Sequence, residues 1–343
     1  MTSSNGRAGT RRKFPDIDPS VLQHPLDRMA TEQLKKLRGF DILVAKYMEF
    51  GFERVNRILN NASNVKVGPK QIPILYEMLR EGCAILDMPE PDLYLSQRPD
   101  VNAFTFGYTK PYIVIYSGLL EMMDEDEVMA VIAHELGHVK CNHVLYTMMV
   151  VQIDYLISLI KQSLPAIGQL IGLGMQVTIE VALTNWQRRA ELTGDRAALL
   201  VMQDPRPCIS MLAKLAGGTA KENYRPDPEE FLHQAQLYKE EGNQGTANRI
   251  YQFLANMQKG THPFAVERVH YLNEWIDSPE YDQILRGNYA RVPRNVLEAS
   301  GTVLQISQEE PEPALQMERR CNRCGRLAVN TTSKFCSGCG SAL

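Results

Sequence analysis

His134-Glu135-Leu136-Gly137-His138 constrains this chain more than any other stretch, because on a helix its three polar side chains share one surface and must meet a common partner. The helix that carries them has its own start signal. Asp124 is a candidate N-cap, Glu127 stands three residues on where a capping box requires it, and Glu125 and Asp126 load the positive end of the dipole. With that start, Met129, Ile132, Leu136, Val139 and His143 fall on one side at three/four spacing, and Val131, His134, Glu135 and His138 lie largely on the other. The motif therefore faces away from its helix's own packing stripe, whereas His143 sits on that stripe and reads as structural. H-E-x-x-H is the pattern by which two imidazoles hold zinc beside a carboxylate base, but five residues recur by chance, so the rest of the chain must support it.

The chain of 343 residues is 44% hydrophobic and 22% charged, which suits one large core plus an appendage. A net charge of -3 supplies no overall field for nucleic acid or an acidic membrane. Residues 1–19 read as a disordered lead with no apolar signal segment, and the seven cysteines form no disulfide framework, so the expectation is a cytoplasmic protein without a signal peptide. Helical spacing runs from Met29 to Leu59 and again from Gln71 to Leu86. The period then changes to two in Asp92–Ser96, Val101–Phe106 and Tyr112–Tyr116, which predicts a small antiparallel sheet ahead of the motif helix. The fold class expected is α+β, mainly α.

Residues 144–182 are apolar but interrupted by Gln152, Asp154, Lys161, Gln162 and Gln169 and broken at Pro165, so they contain no membrane-spanning run. A buried helical hairpin is the first reading, and a peripheral membrane contact through a segment such as Ile167 to Val181 is the second. Glu229 to Asn256 is a polar helix, and Val266 to Trp275 is amphipathic. The main domain is set at 20–300, an acidic Pro-containing linker at 301–318 and a small module at 319–343.

A hydrolytic zinc needs three protein ligands and one open position, so the two histidines require a third donor. Arg188-Arg-Ala-Glu191-Leu-Thr-Gly-Asp195 offers one, because Glu191 and Asp195 are four apart and share a helix face. Glu191 suits the metal, and Asp195 suits the far nitrogen of a ligand histidine. Taken in order, the 134–138 motif, the apolar stretch and Arg188-x-x-Glu191-x-x-x-Asp195 resemble the gluzincin metalloproteases that include the HtpX heat-shock proteases and the CAAX prenyl proteases. Asn102-Ala103-Phe104-Thr105, Gly118-Leu-Leu and Thr261-His262-Pro263 with Arg268 are similar to that family too, over about residues 70 to 275. Gly194 departs from it, since the family usually has Ala there.

The resemblance implies a zincin-like domain of a soluble type. His134, His138 and Glu191 would be the catalytic zinc ligands, Glu135 the general base and Asp195 with Arg188 the supporting residues. Asn102, Ala103, Phe104 and Thr105 would be the strand that pairs with an extended protein or peptide substrate, and His262 the group that stabilises the oxyanion. Arg188 as a plain ion-pair partner and His262 as a helix cap remain open alternatives. The implied activity is that of a zinc metalloendopeptidase acting on unfolded or extended segments, with a role in protein quality control.

Cys321-x-x-Cys324, eleven residues, then Cys336-x-x-Cys339 is a zinc-ribbon signature, with all four positions filled by protein and therefore structural. Two zinc ions per chain are thus expected, one catalytic and one structural. Arg319, Arg320, Arg323, Arg326 and Lys334 make the module basic, yet Phe335 alone offers little base stacking, so a protein partner is favoured over nucleic acid. A non-catalytic adaptor working through the ribbon is the rival reading, and the intact His134, Glu135, His138 and Glu191 set speaks against it.

Overall fold

In the computed structural model, residues 11–37, 39–163, 173–219, 221–246, 248 and 263–292 are described. The chain divides into two units, residues 1–291 and 292–343. The acidic linker and the four-cysteine module lie outside the described residues, as does residue 262.

Residues 11–18, read above as part of a disordered lead, are instead packed. Phe14 and Ile17 are fully buried, and the Phe14 N–H donates to the Ile85 carbonyl at 2.8 Å. Two apolar residues are too few to register as a periodic pattern, but they suffice to anchor a segment against an existing core. Helices α1 (Pro19–Leu22), α2 (Pro25–Lys35), α3 (Phe40–Glu49) and α4 (Phe52–Ser63) follow. The single helical stretch expected from Met29 to Leu59 is thus three helices, separated at Gly39 and Gly51, whose φ angles of 80° and 68° no continuing helix accepts.

After β1 (Val65–Lys66) and α5 (Pro73–Leu86) come β2 (Asp92–Ser96), β3 (Ala103–Phe106) and β4 (Tyr112–Tyr116). The sheet is mixed, which corrects the expected antiparallel arrangement. Its order is β1-β2-β4-β3, with β2 and β4 parallel in the register Asp92 with Tyr112 through Ser96 with Tyr116. Only β3 with β4 and β1 with β2 are antiparallel. Period-two alternation says which side chains share a face and says nothing about which strand lies alongside. Here the most apolar strand, β4, takes an interior place and β3 goes to the edge. The alternation serves two cores: Ile113 and Ile115 point into one, Tyr112 and Val114 into the other.

Short helix α6 (Ser117–Met122) leads into α7 (Glu125–Lys140), which carries the motif, and then α8 (Val144–Ser163) and α9 (Leu173–Met202). The 30-residue α9 is both the second arm of the apolar hairpin and the helix bearing Glu191 and Asp195. Helices α10 (Pro205–Gly217), α11 (Pro228–Asn243), α12 (Ala265–Ile276) and α13 (Pro279–Arg286) close the domain, with a 3-10 turn at Glu222–Tyr224. One core gathers α5, half of α9 and α10–α13. The other gathers α2–α4, α8 and the other half of α9. Between Ala190 in one core and Ala197 in the other, the polar turn of α9 from Glu191 to Arg196 meets α7.

No single described helix is long and apolar enough to cross a membrane. Glu125–Lys140 and Val144–Ile160 pass on length and composition only as a pair bent by 90°.

Candidate active site

The start of α7 is the predicted capping box: Asp124 accepts from the Glu127 N–H at 3.0 Å, and the Glu127 carboxylate accepts from the Asp124 N–H at 2.8 Å. Glu127 is also buried against α10, where Lys214 and Ser210 each donate to it at 2.5 Å, so the cap fastens the helix to its neighbour as well. Every residue of α7 from Glu127 to His138 is buried, and so is every residue of α9 from Ala190 to Met202. The motif's outward side is therefore covered by α9. Glycine permits that approach: a Cβ on Gly137 would stand 2.5 Å from the Ala197 Cβ, and one on Gly194 would stand 2.5 Å from Cε1 of His134. An Ala at 194 would thus press on the His134 ring in this chain.

His134, His138 and Glu191 converge, with one donor atom from each lying within 4.8 Å of the others. The two Nε2 atoms are 3.1 Å apart, and each is 3.6 Å from a Glu191 carboxylate oxygen. Nitrogens bound at about 2.0–2.1 Å to a tetrahedral zinc lie about 3.3 Å apart, so the donors need little adjustment. Two imidazoles and one carboxylate are also the chemistry of a hydrolytic zinc site with a position left open.

Both histidines turn Nδ1 away from this cluster. Nδ1 of His134 is 3.1 Å from Oδ1 of Asp195, and Arg268 on α12 grips the same carboxylate twice, at 2.9 and 2.6 Å. Arg268 also reaches Glu191 at 3.4 Å. Nδ1 of His138 is 3.0 Å from Nδ1 of His143, in the turn between α7 and α8. Burial opposes a charge on His134, but Asp195 and Glu191 outweigh it and hold the pKa up at about 10. Burial and then the charge of His134 push His138 down to about 3. Burial alone would raise the Asp195 carboxyl, but Arg268 and His134 keep it below the usual range, and the same Asp195 raises the Arg268 guanidinium against its own burial.

Glu135 is buried beside edge strand β3, and its Oε2 accepts from the Thr105 hydroxyl at 2.5 Å. Of the residues expected to bind substrate, Thr105 is therefore turned to Glu135. Ala103 and Phe104 are half-buried, and Asn102 is exposed at the head of the strand. Arg268 is an arginine that holds Asp195; burial lowers the pKa of Arg188, with Glu267 of α12 as the opposing charge. His262, Cys321, Cys324, Cys336 and Cys339 lie outside the described residues. Two members of this network carry no local sequence signal for their place in it. Arg268 was visible only as part of the family resemblance, and His143 looked like a packing residue because a turn, not more helix, follows Lys140.

Residues 69–276 match peptidase family M48. The chain belongs to this family. As an M48 member it is a metallopeptidase, and M48 enzymes use zinc, which the His134, His138 and Glu191 set can hold. The plastoglobule-localized metallopeptidase 48 of Arabidopsis thaliana chloroplasts is 34% identical over 277 residues, covering 80% of this chain and 77% of that one. A protease HtpX homolog of Helicobacter acinonychis is 29% identical, over 69% of this chain and 75% of its own. Another HtpX homolog, from a Sulfurihydrogenibium species, is 26% identical over 60% and 75%. No solved structure matches.

Proposed function

We propose that this M48 metallopeptidase is a zinc-dependent endopeptidase that cuts unfolded or extended protein segments in a quality-control role. The observation that carries the reading is the convergence of His134, His138 and Glu191 with the Glu135 carboxylate beside an edge strand. Bound zinc would supply Lewis acidity to the scissile carbonyl and lower the pKa of water. Glu135 accepts the proton of the attacking water and passes it to the departing amine, and the Thr105 hydroxyl fixes the direction of its carboxylate. Asp195, held by Arg268, sets the ring of His134 with Nε2 toward the donor cluster. An extended chain can add to β3 through backbone hydrogen bonds, and because a strand edge needs no chain terminus, cleavage falls within the chain. His262 is assigned to the oxyanion by family resemblance.

Cys321, Cys324, Cys336 and Cys339 complete the proposal as a structural zinc ribbon that recruits a protein partner. Peripheral membrane contact through the α8–α9 arms also belongs to it. Support comes from Val151 and Tyr155, 67% and 60% exposed, from Val177 and Val181, each 51% exposed, and from the plastoglobule named for the Arabidopsis relative. Vesicle flotation checks that contact, and equal flotation after all four become Ser removes it.

Glu135→Gln tests the central assignment. With zinc content unchanged, casein cleavage should fall at least about 100-fold. Undiminished cleavage refutes Glu135 as the base.

A further inference from the structure

His138 has a support of its own that starts inside the matched residues at His143 and ends outside them at Asp27. Its Nε2 faces His134 and Glu191, so in the zinc-binding form the ring proton sits on Nδ1, 3.0 Å from Nδ1 of His143. That contact makes Nδ1 of His143 an acceptor and leaves its proton on Nε2. Nε2 in turn is 3.0 Å from Oδ2 of Asp27 on α2. Asp27 is fully buried, and His143 is 2% exposed.

Two threonines set the direction of the chain. The Thr193 hydroxyl accepts from the His24 N–H at 3.0 Å, so its proton goes to Oδ2 of Asp27 at 2.7 Å. The Thr31 hydroxyl accepts from the Trp186 indole N–H at 2.8 Å and donates to Oδ1 of Asp27 at 3.2 Å. Both threonine protons therefore point at Asp27, as an ionised carboxylate requires, and Nε2 of His143 lies against the same carboxylate with its N–H turned off the direct line to Oδ2. The ring of Trp186, fully buried, stands edge-on to His143 at 5.6 Å and keeps the path dry, where such hydrogen bonds are stronger than in water.

We propose that Asp27 and His143 form a relay that positions and polarises the zinc ligand His138, so that α2, ahead of the matched residues 69–276, is part of the metal site. Both are positioning residues. The relay rests on the zinc-site reading above. Its carboxylate favours the Nδ1–H tautomer of His138 and raises the basicity of Nε2, as a directly bonded carboxylate does for other metal-bound histidines.

The test uses the full chain, with Asp27→Asn and His143→Gln, and titrates zinc against a chelator, the ribbon zinc serving as internal reference. Main-site affinity should fall about 10- to 100-fold in each variant while the ribbon zinc is unmoved. A purely structural role would lower the melting temperature and leave main-site affinity intact, and that result overturns the relay. Absence of main-site zinc from the wild-type chain overturns the zinc-site reading and the relay with it, whereas wild-type binding with unchanged variants overturns the relay alone. Imidazole nitrogen NMR of the wild-type chain needs no variant. It should show His138 protonated at Nδ1 and His143 at Nε2, and a His143 protonated at Nδ1 sinks the proposal.

Discussion

His134 and His138 are backed in contrasting ways. His134 meets the carboxylate of Asp195 directly, on the helix turn that also supplies Glu191, and Arg268 neutralises that turn. On its Nδ1 side His138 meets His143, and the carboxylate beyond comes from α2, more than a hundred residues before it in the chain. Charge follows the same division. The Asp195 side carries two carboxylates and a guanidinium around a histidine held up at about 10, while His138, pushed down by burial and then by His134, is kept neutral. A direct brace is short and strongly charged; an indirect one is neutral at the histidine and depends on the docking of a separate helix.

The largest effect that would test this contrast is loss of Arg268. Arg268→Met leaves the Asp195 and Glu191 carboxylates buried without their guanidinium, which should cost about 3–5 kcal/mol in urea unfolding. A loss below about 1 kcal/mol would mean the His134 side is not held by that pair. The His138 side should instead show through pH. His24 caps α2 with a neutral Nδ1 that accepts from the Leu26 N–H, and burial, then Arg196, lowers its pKa to about 4. Because the unfolded chain takes up the proton near pH 6.5 and the folded chain only near 4, stability should drop as pH falls between them. The drop is on the order of 3 kcal/mol. His24→Asn keeps a cap acceptor without the titration, so its unfolding curves should lack that slope; an unchanged slope assigns the acid sensitivity elsewhere.

Gly194→Ala probes the close contact on the His134 side. The added Cβ meets the ring at 2.5–2.7 Å, and overpacking of about 1–3 kcal/mol with weakened zinc retention is expected. Gly217→Ala, with nothing within 4 Å, is its control and should shift the melting midpoint by less than about 0.5 kcal/mol equivalent. Equal effects at the two glycines would remove steric contact as the reason for Gly194.

How much of this could be read in advance depended on the distance between partners. The capping box at Asp124 and Glu127 is three residues long, and the Glu191/Asp195 face is one helical turn, so both follow from local geometry. Arg268 bonds Asp195 across 73 positions, and no spacing rule reaches that far. Thr105 was placed on the right strand, but whether its hydroxyl faced substrate or Glu135 depended on how β3 sits against α7. The sheet shows the same limit, since each strand was visible by its alternation while the parallel pairing of β2 with β4 was not.

By itself, then, the sequence determined what is periodic or adjacent: the helix bearing His134, Glu135 and His138, the turn bearing Glu191 and Asp195, and the three short strands. Those features depend on backbone geometry within a few residues, and that geometry is the same wherever the element is placed. Only the tertiary structure decided the mixed sheet, the burial of the motif beneath α9, the grip of Arg268 and the path from His138 through His143 to Asp27. Each of these needs segments far apart in the chain to be packed against one another, and the packing of two cores around one polar turn brings them together.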